Sequence, residues 1–357
     1  MIRNDPSSIE KTTSIVERHL DQGMFSGVSL HVLVGEKERN QIWGNAVQEE
    51  QEKEILTTSH LFDLASLTKI FTTTAILRLI DMHAFFESTK VLDLLPFSDA
   101  RVVSGLSKVD VVALMTHTSS LRPWYPFYTK QDQDFEAILS HILYHYPPQI
   151  GVAYSDLNYM LLGKIIEQVV QKPLDEAMQE LVFTPLSLNH TTYHPKLSEC
   201  VATEFGNQIE KKMVTELGLE FAHWRKEHPA IRGACNDGNG FYYFNGVSGH
   251  AGIFSDAKDV AALGKVFCND AQSFIHPDLL TRALQNTNNR GYGFQFGTLY
   301  PEGGFGHTGF TGTYLYINPI RNVVVSLLTN RLHAEHVQNI NAFRQEVITS
   351  LLMEKNL

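Results

Sequence analysis

The sequence predicts a mixed α and β fold. An α/β layer is built from both ends of the chain, and a helical insertion lies between residues 76 and about 240. Three observations carry that prediction. Near the N-terminus Val28, Leu30, Val32 and Val34 alternate with Ser29, His31 and Leu33, the period of a strand. Two further strand-like runs stand near the C-terminus. Between these ends the apolar spacing is helical, and prolines mark the breaks.

In order, a first helix is expected over residues 8–22, from Ile9, Val16 and Leu20. A strand follows over 27–35, then a turn at Gly35-Glu36-Lys37 and a second strand near 40–47. Residues 48–54 are polar and read as exposed. From Ser66 a long helical pattern runs through Ile70, Ile76, Leu77 and Ile80, with no Gly or Pro before Pro96. More helices are expected near 109–115, 135–143, 158–170 and 174–181. Residues 189–240 show little period and read as loop. Helical spacing returns at 257–267. Residues 312–318 and 322–329 form a strand pair across Pro319-Ile320-Arg321, and a last helix covers about 335–353. Length alone suggests two domains for 357 residues. Because both ends feed one sheet, a single cooperative unit is expected instead.

Composition excludes several classes. Twenty-nine Lys and Arg against 39 Asp and Glu leave a formal charge of −10. That is not the basic excess of a nucleic-acid binder, and it offers no electrostatic membrane anchor. No apolar run reaches the ~18 residues of a membrane span. The N-terminus lacks the apolar core of a secretory signal, and only three cysteines occur, with no C-x-x-C. A cytoplasmic location is therefore expected. His190 and His194 stand four apart, but Pro195 follows at once, so no metal site is expected.

The sharpest local feature is Ser66-Leu67-Thr68-Lys69 at the start of the long helix. Residues i and i+3 share a helix face, so the lysine reaches the serine hydroxyl and serves as its proton partner if its charge is tuned. The helix start also leaves backbone N–H groups that an oxyanion can use. Two later segments add to this: Tyr154-Ser155-Asp156 ahead of a helix, and Gly306-His307-Thr308-Gly309-Phe310 ahead of the last strands.

These segments, with Phe62-Asp63-Leu64-Ala65 before Ser66, residues 114–121 around His117, and Gly249-His250-Ala251-Gly252, resemble the β-lactamase-related serine hydrolases, the family of class C β-lactamases and penicillin-binding proteins. The resemblance runs from about residue 24 to 331. It implies an α+β fold of the β-lactamase/transpeptidase type: an antiparallel sheet flanked by N- and C-terminal helices, built from residues 1–75 and 241–357, with a mostly helical subdomain over 76–240. It implies Ser66 as acylated nucleophile, Lys69 as its proton partner and Tyr154 as second general base. A phenol with an ordinary pKa of about 10 then needs cationic neighbours, Lys69 and His307. The backbone N–H groups of Ser66 and Phe310 would form the oxyanion hole. Asp156, His307, Thr308, Gly309, His250 and Trp124 would bind substrate, and no cofactor is implied.

Two positions depart from the family pattern. Asp156 stands where β-lactamases carry Asn, and an ionised Asp only accepts hydrogen bonds. His307 stands where penicillin-recognising enzymes carry Lys, and a histidine is mostly neutral at pH 7. Both changes favour a small neutral ester or amide over a penicillin or a free C-terminal carboxylate. The expected activity is therefore that of an esterase or amidase. The rivals are a D-alanyl carboxypeptidase or weak β-lactamase, and a non-catalytic binding protein of the same fold. His117 is expected to brace a loop. Trp124, Tyr125 and Tyr128 are candidates for a pocket wall. Asn236-Asp237 falls where relatives often show His-Asp, which leaves the role of that pair open.

Overall fold

The computed structural model describes residues 6–269 and 274–353. In chain order the strands are β1 (Gly27–Val34), β2 (Lys37–Gln48), β3 (Lys53–Ile55), β4 (Phe62–Asp63), β5 (Phe254–Ser255), β6 (Phe305–Thr308), β7 (Tyr314–Asn318) and β8 (Val323–Thr329). The helices are α1 (Pro6–Asp21), α2 (Thr68–Asp81), α3 (Val91–Leu94), α4 (Ala100–Leu106), α5 (Val111–Met115), α6 (Phe135–His145), α7 (Asp156–Val170), α8 (Leu174–Met178), α9 (Gln208–Glu216), α10 (Ala257–Asn269), α11 (Pro277–Ala283) and α12 (Asn341–Leu352).

The main sheet runs β3-β2-β1-β8-β7-β6 and is antiparallel throughout. Its centre is the pair β1–β8, which joins the two ends of the chain. Strand alternation divides the interior in two. Val28, Leu30 and Val32 of β1, Tyr314 and Tyr316 of β7, and Val325 and Leu327 of β8 pack with Val16 of α1 and Phe343 and Val347 of α12. The opposite face, with Leu315, Ile317, Val324 and Leu328, packs on α10 and is continuous with the core of the helical segment. Helices α2 to α9 lie between β4 and β5 in sequence, and the fully buried Leu161, Leu162 and Ile165 of α7 occupy that core.

Several elements differ from expectation. The long helix stops at Asp81, because His83 adopts a left-handed φ of 59° and ends the helical path. The last helix starts at Asn341 rather than 335. The polar run after β2 turns back at Glu49–Glu52 and forms the short edge strand β3. The stretch read as loop contains α9, whose buried residues are only Glu210 and Val214. β6 was not foreseen, and it carries His307. Among the described residues no helix is long and apolar enough to cross a membrane. His190 and His194 pair with Asp256 and Asp175, at 2.6 and 2.7 Å.

Candidate active site

Ser66 sits in a single 3-10 turn, Ala65–Leu67, between β4 and α2, and not in the long helix itself. The turn is tight: Ala65 has a φ of 46°, uncommon for a residue with a side chain. Asp63 holds it there. Its Oδ1 accepts the Ala65 N–H at 2.8 Å and its Oδ2 the Asn236 N–H at 2.6 Å. Burial pushes the Asp63 carboxyl up to about 6, against those two hydrogen bonds. Thr311 and Thr313 donate to the carbonyls of Asp63 and Leu64, at 2.7 and 2.9 Å. The segment after β6 is thereby tied to the serine turn.

Lys69 is fully buried. Its three N–H bonds meet three acceptors: Ser66 Oγ at 3.0 Å, His250 O at 3.0 Å and Asp156 Oδ1 at 2.7 Å. Burial opposes the ammonium charge, but attraction to Asp156 and Tyr154 outweighs it and holds the pKa above the ordinary lysine value. The Tyr154 hydroxyl donates to Ser66 Oγ at 2.8 Å. Its pKa is raised: burial favours the neutral phenol, Lys69 opposes, and the Asp156 charge adds to the rise. The cationic neighbourhood expected to bring this phenol near ionisation is therefore offset.

His307 does not supply that charge. Its Nδ1 donates to Thr308 O at 2.7 Å, and its Nε2 faces the Gln295 amide nitrogen at 3.3 Å. Gln295 Oε1 is taken by the Tyr300 hydroxyl at 2.9 Å, so its amide N–H is the group turned to His307. A ring that donates at one nitrogen and accepts at the other is neutral. Burial, with Lys69 and Arg290 nearby, holds the imidazole well below its usual value. His117, also at positive φ, accepts the Ser155 N–H at 3.0 Å and lies against the Tyr154 ring, with centroids 4.6 Å apart. It braces the tyrosine as well as its loop.

These groups surround a cavity of about 440 Å³, lined by Ser66, Trp124, Tyr154, Asp156, His250, His307, Thr308, Gly309 and Phe310. Of the residues expected to act on or bind substrate, Lys69 lies beneath the cavity and the others line it. Tyr125 and Tyr128 do not: both are buried, and the Tyr128 hydroxyl donates to Glu210 at 2.7 Å. Gly309 is required by space, since a Cβ there would collide with Thr313 Oγ1 and Leu64 O. A larger groove of about 1410 Å³ beside Glu49–Glu52, His228 and His333 is lined by none of the Ser66, Lys69 or Tyr154 side chains.

Sequence reasoning missed three contributors to this cavity, Arg344, Arg331 and Arg290, and left open the role of a fourth, Asp237. Arg344 donates to Gly309 O and Thr313 O at 3.3 and 2.9 Å, and Arg331 to Phe310 O at 2.8 Å. Together they fix the backbone that presents Phe310. Asp237 accepts from His250 Nε2 at 2.9 Å, while Ser248 Oγ meets His250 Nδ1 at 2.7 Å, which fixes the peptide that receives Lys69. Arg290 lines the cavity 5.5 Å from the Tyr154 ring, and its buried Nη1 has no hydrogen-bond partner among the described residues. No local pattern announces these residues. Asp237, Arg331 and Arg344 act through contacts 13 to 35 residues away, beyond the reach of a local motif.

The arrangement is a serine hydroxyl flanked by an ammonium and a phenol at the floor of a pocket, which suits acyl transfer. Comparison with known proteins agrees. The N-acetylmuramyl-L-alanine amidase of Bacillus subtilis strain 168 is 30% identical over 374 residues, covering 94% of this chain and 84% of that protein. A putative D-alanyl-D-alanine carboxypeptidase of Escherichia coli K12 is 30% identical over 325 residues, covering 80% and 73%. The crystal structure of a class C beta lactamase from Rhodobacter sphaeroides superposes with a TM-score of 0.73 at 18% identity, covering 96% of this chain and 99% of that one, a likeness of fold. The sequence pattern of the family described as Beta-lactamase matches residues 12–348. The chain belongs to the beta-lactamase family, with its serine hydrolase fold.

Proposed function

We propose that this protein is a serine hydrolase that cleaves a small carboxylic ester or amide through an acyl-enzyme on Ser66. The observation that carries the reading is the contact of Ser66 Oγ with both Lys69 Nζ, at 3.0 Å, and Tyr154 OH, at 2.8 Å. Once Tyr154 has released its own proton, Ser66 Oγ attacks the substrate carbonyl as its proton passes to that phenolate, and Tyr154 returns the proton to the leaving group. Such positioned proton transfer contributes roughly 10²–10⁴-fold. The N–H groups of Ser66 and Phe310 receive the oxyanion, and losing one donor of this kind costs about 10²-fold or more. Water then cleaves the acyl-enzyme by the reverse sequence. No step calls for a cofactor.

The test is intact-protein mass after treatment with a fluorophosphonate probe. One adduct is expected on the wild type and none on Ser66→Ala. An adduct on both, or on neither folded protein, would overturn the reading.

One observation favours a second, narrower reading. The neutral His307 supports the expected loss of a lysine-like charge for carboxylates, but Arg290 offers another. Arg290 lines the cavity, and a carboxylate is the natural partner of a guanidinium. A peptide amide with a free carboxylate, the substrate type of a carboxypeptidase, fits that position.

A further inference from the structure

We propose that Asp156, which stands where β-lactamases carry Asn, acts through Lys69 as a positioning residue and sets the pH at which Ser66 becomes nucleophilic. The inference rests on the reading of Ser66 as nucleophile.

The geometry is specific. Asp156 is the first residue of α7 and follows Ser155, the N-cap. A carboxylate at a helix N-terminus is favoured by the helix dipole, and Asp156 stands there, facing the buried lysine. Its Oδ1 lies 2.7 Å from Lys69 Nζ. With Ser66 Oγ and His250 O taking the other two N–H bonds, Lys69 has no lone pair to offer. It remains an ammonium and cannot accept the serine proton. The proton must go to Tyr154, and the field at Tyr154 is that of a closed ion pair rather than of a free cation.

The other groups facing this cluster do not restore the missing charge. From β6, His307 is neutral, and from the loop after α5, His117 is held neutral by burial. From α7, Tyr159 presents its ring 5.7 Å from Lys69 Nζ. From the loop before β5, Asp237 places a second carboxylate near Lys69, with His250 against it. Arg290 adds positive charge 5.5 Å from the Tyr154 ring, and Arg331 and Arg344 line the same cavity. Burial, with the Asp156 charge added to it, holds the phenol above its ordinary pKa against the opposing Lys69. An Asn at 156 keeps an oxygen acceptor for Lys69 and removes one negative charge from the cluster.

The experiment follows the rate of fluorophosphonate labelling across a pH series for wild type, Asp156→Asn, Asp156→Glu and Ser66→Ala. In this step the Ser66 O–P bond forms, the P–F bond breaks, fluoride leaves, and the serine proton goes to the Tyr154 phenolate. The wild-type rate is expected to climb in the alkaline range. In Asp156→Asn the climb should move to lower pH by about one unit or more, which makes labelling near neutral pH about tenfold faster. Asp156→Glu, which keeps the charge, should keep the wild-type position. A climb unmoved in Asp156→Asn overturns the proposal. So does an equal shift in both variants, which would assign the effect to geometry. No labelling of folded wild type at any pH would instead overturn the reading of Ser66 itself.

Discussion

At the scale of single residues, Ser66 depends on partners of very different legibility. Lys69 is one helical turn away, and its relation to Ser66 follows from i,i+3 spacing. Tyr154 and His307 were recognisable because short ordered segments carry them. Asp63, Arg290 and Arg344 were not, because Asp63 acts through contacts 173 and 248 residues away, Arg344 through backbone carbonyls 31 and 35 residues away, and Arg290 across the cavity. Arg290 carries the prediction that belongs to this scale. Arg290→Gln should lower kcat/KM about tenfold to a hundredfold for an acyl amide with a free carboxylate, the loss typical of one hydrogen bond to a charged group. The same amide with its carboxylate capped should be cleaved equally by both proteins. Equal losses for both substrates would remove the carboxylate role.

At the scale of elements, periodicity found what is long and apolar. β1, β7, β8, α7 and α10 were visible because one or both faces enter the core. β6 was hidden: it is four residues long, with two that are not strand formers, Gly306 and His307, and it exists because β7 pairs with it. α9 was hidden because it buries a carboxylate where an apolar residue was sought. That carboxylate, Glu210, accepts from Tyr128 Oη at 2.7 Å and Gly238 N at 2.6 Å. Burial, reinforced by the Asp237 charge, pushes it up to about 8 from 4.5. The folded protein therefore keeps a proton that the unfolded chain has released, and stability declines as pH rises between those two values. Glu210→Gln matches the protonated acid in shape and does not titrate. Its melting temperature should exceed the wild type's by a margin that grows from about pH 5 to about pH 8. A margin constant with pH would show that Glu210 is not protonated in the fold.

For the whole molecule, the sequence already indicated that both ends build one sheet. What it did not indicate is how much of that sheet's second core depends on the last helix. Phe343, Val347, Ile348, Leu351 and Leu352 of α12 are all buried in the cluster that α12 forms with α1, β1, β7 and β8. At roughly 1.5–3 kcal/mol per buried side chain, their loss amounts to about 10 kcal/mol, comparable with the whole stability of a typical domain, about 5–15 kcal/mol. Ending the chain at Ile340 should therefore abolish folding of the entire protein, helical segment included. Far-UV circular dichroism and solubility check this. A truncated chain that kept a cooperative melt would mean that the helical segment stands alone.

The central pairing of the sheet also governs when the protein can fold. Val28 meets Thr329 across β1 and β8, partners about 300 residues apart in synthesis. At ~5–20 residues per second on the ribosome, β1 waits roughly 15–60 s for its neighbour. Through that interval the β1–β2 hairpin carries an open, apolar edge, the kind that pairs with whatever strand it meets. The nascent chain thus passes its most association-prone period before its active-site wall has been made, since β6 emerges only just ahead of β8. Newly made protein at high expression levels is accordingly at risk through N-terminal hairpins that find one another first, and synthesis at low level, with few neighbouring chains, is the condition under which the two ends of one molecule meet.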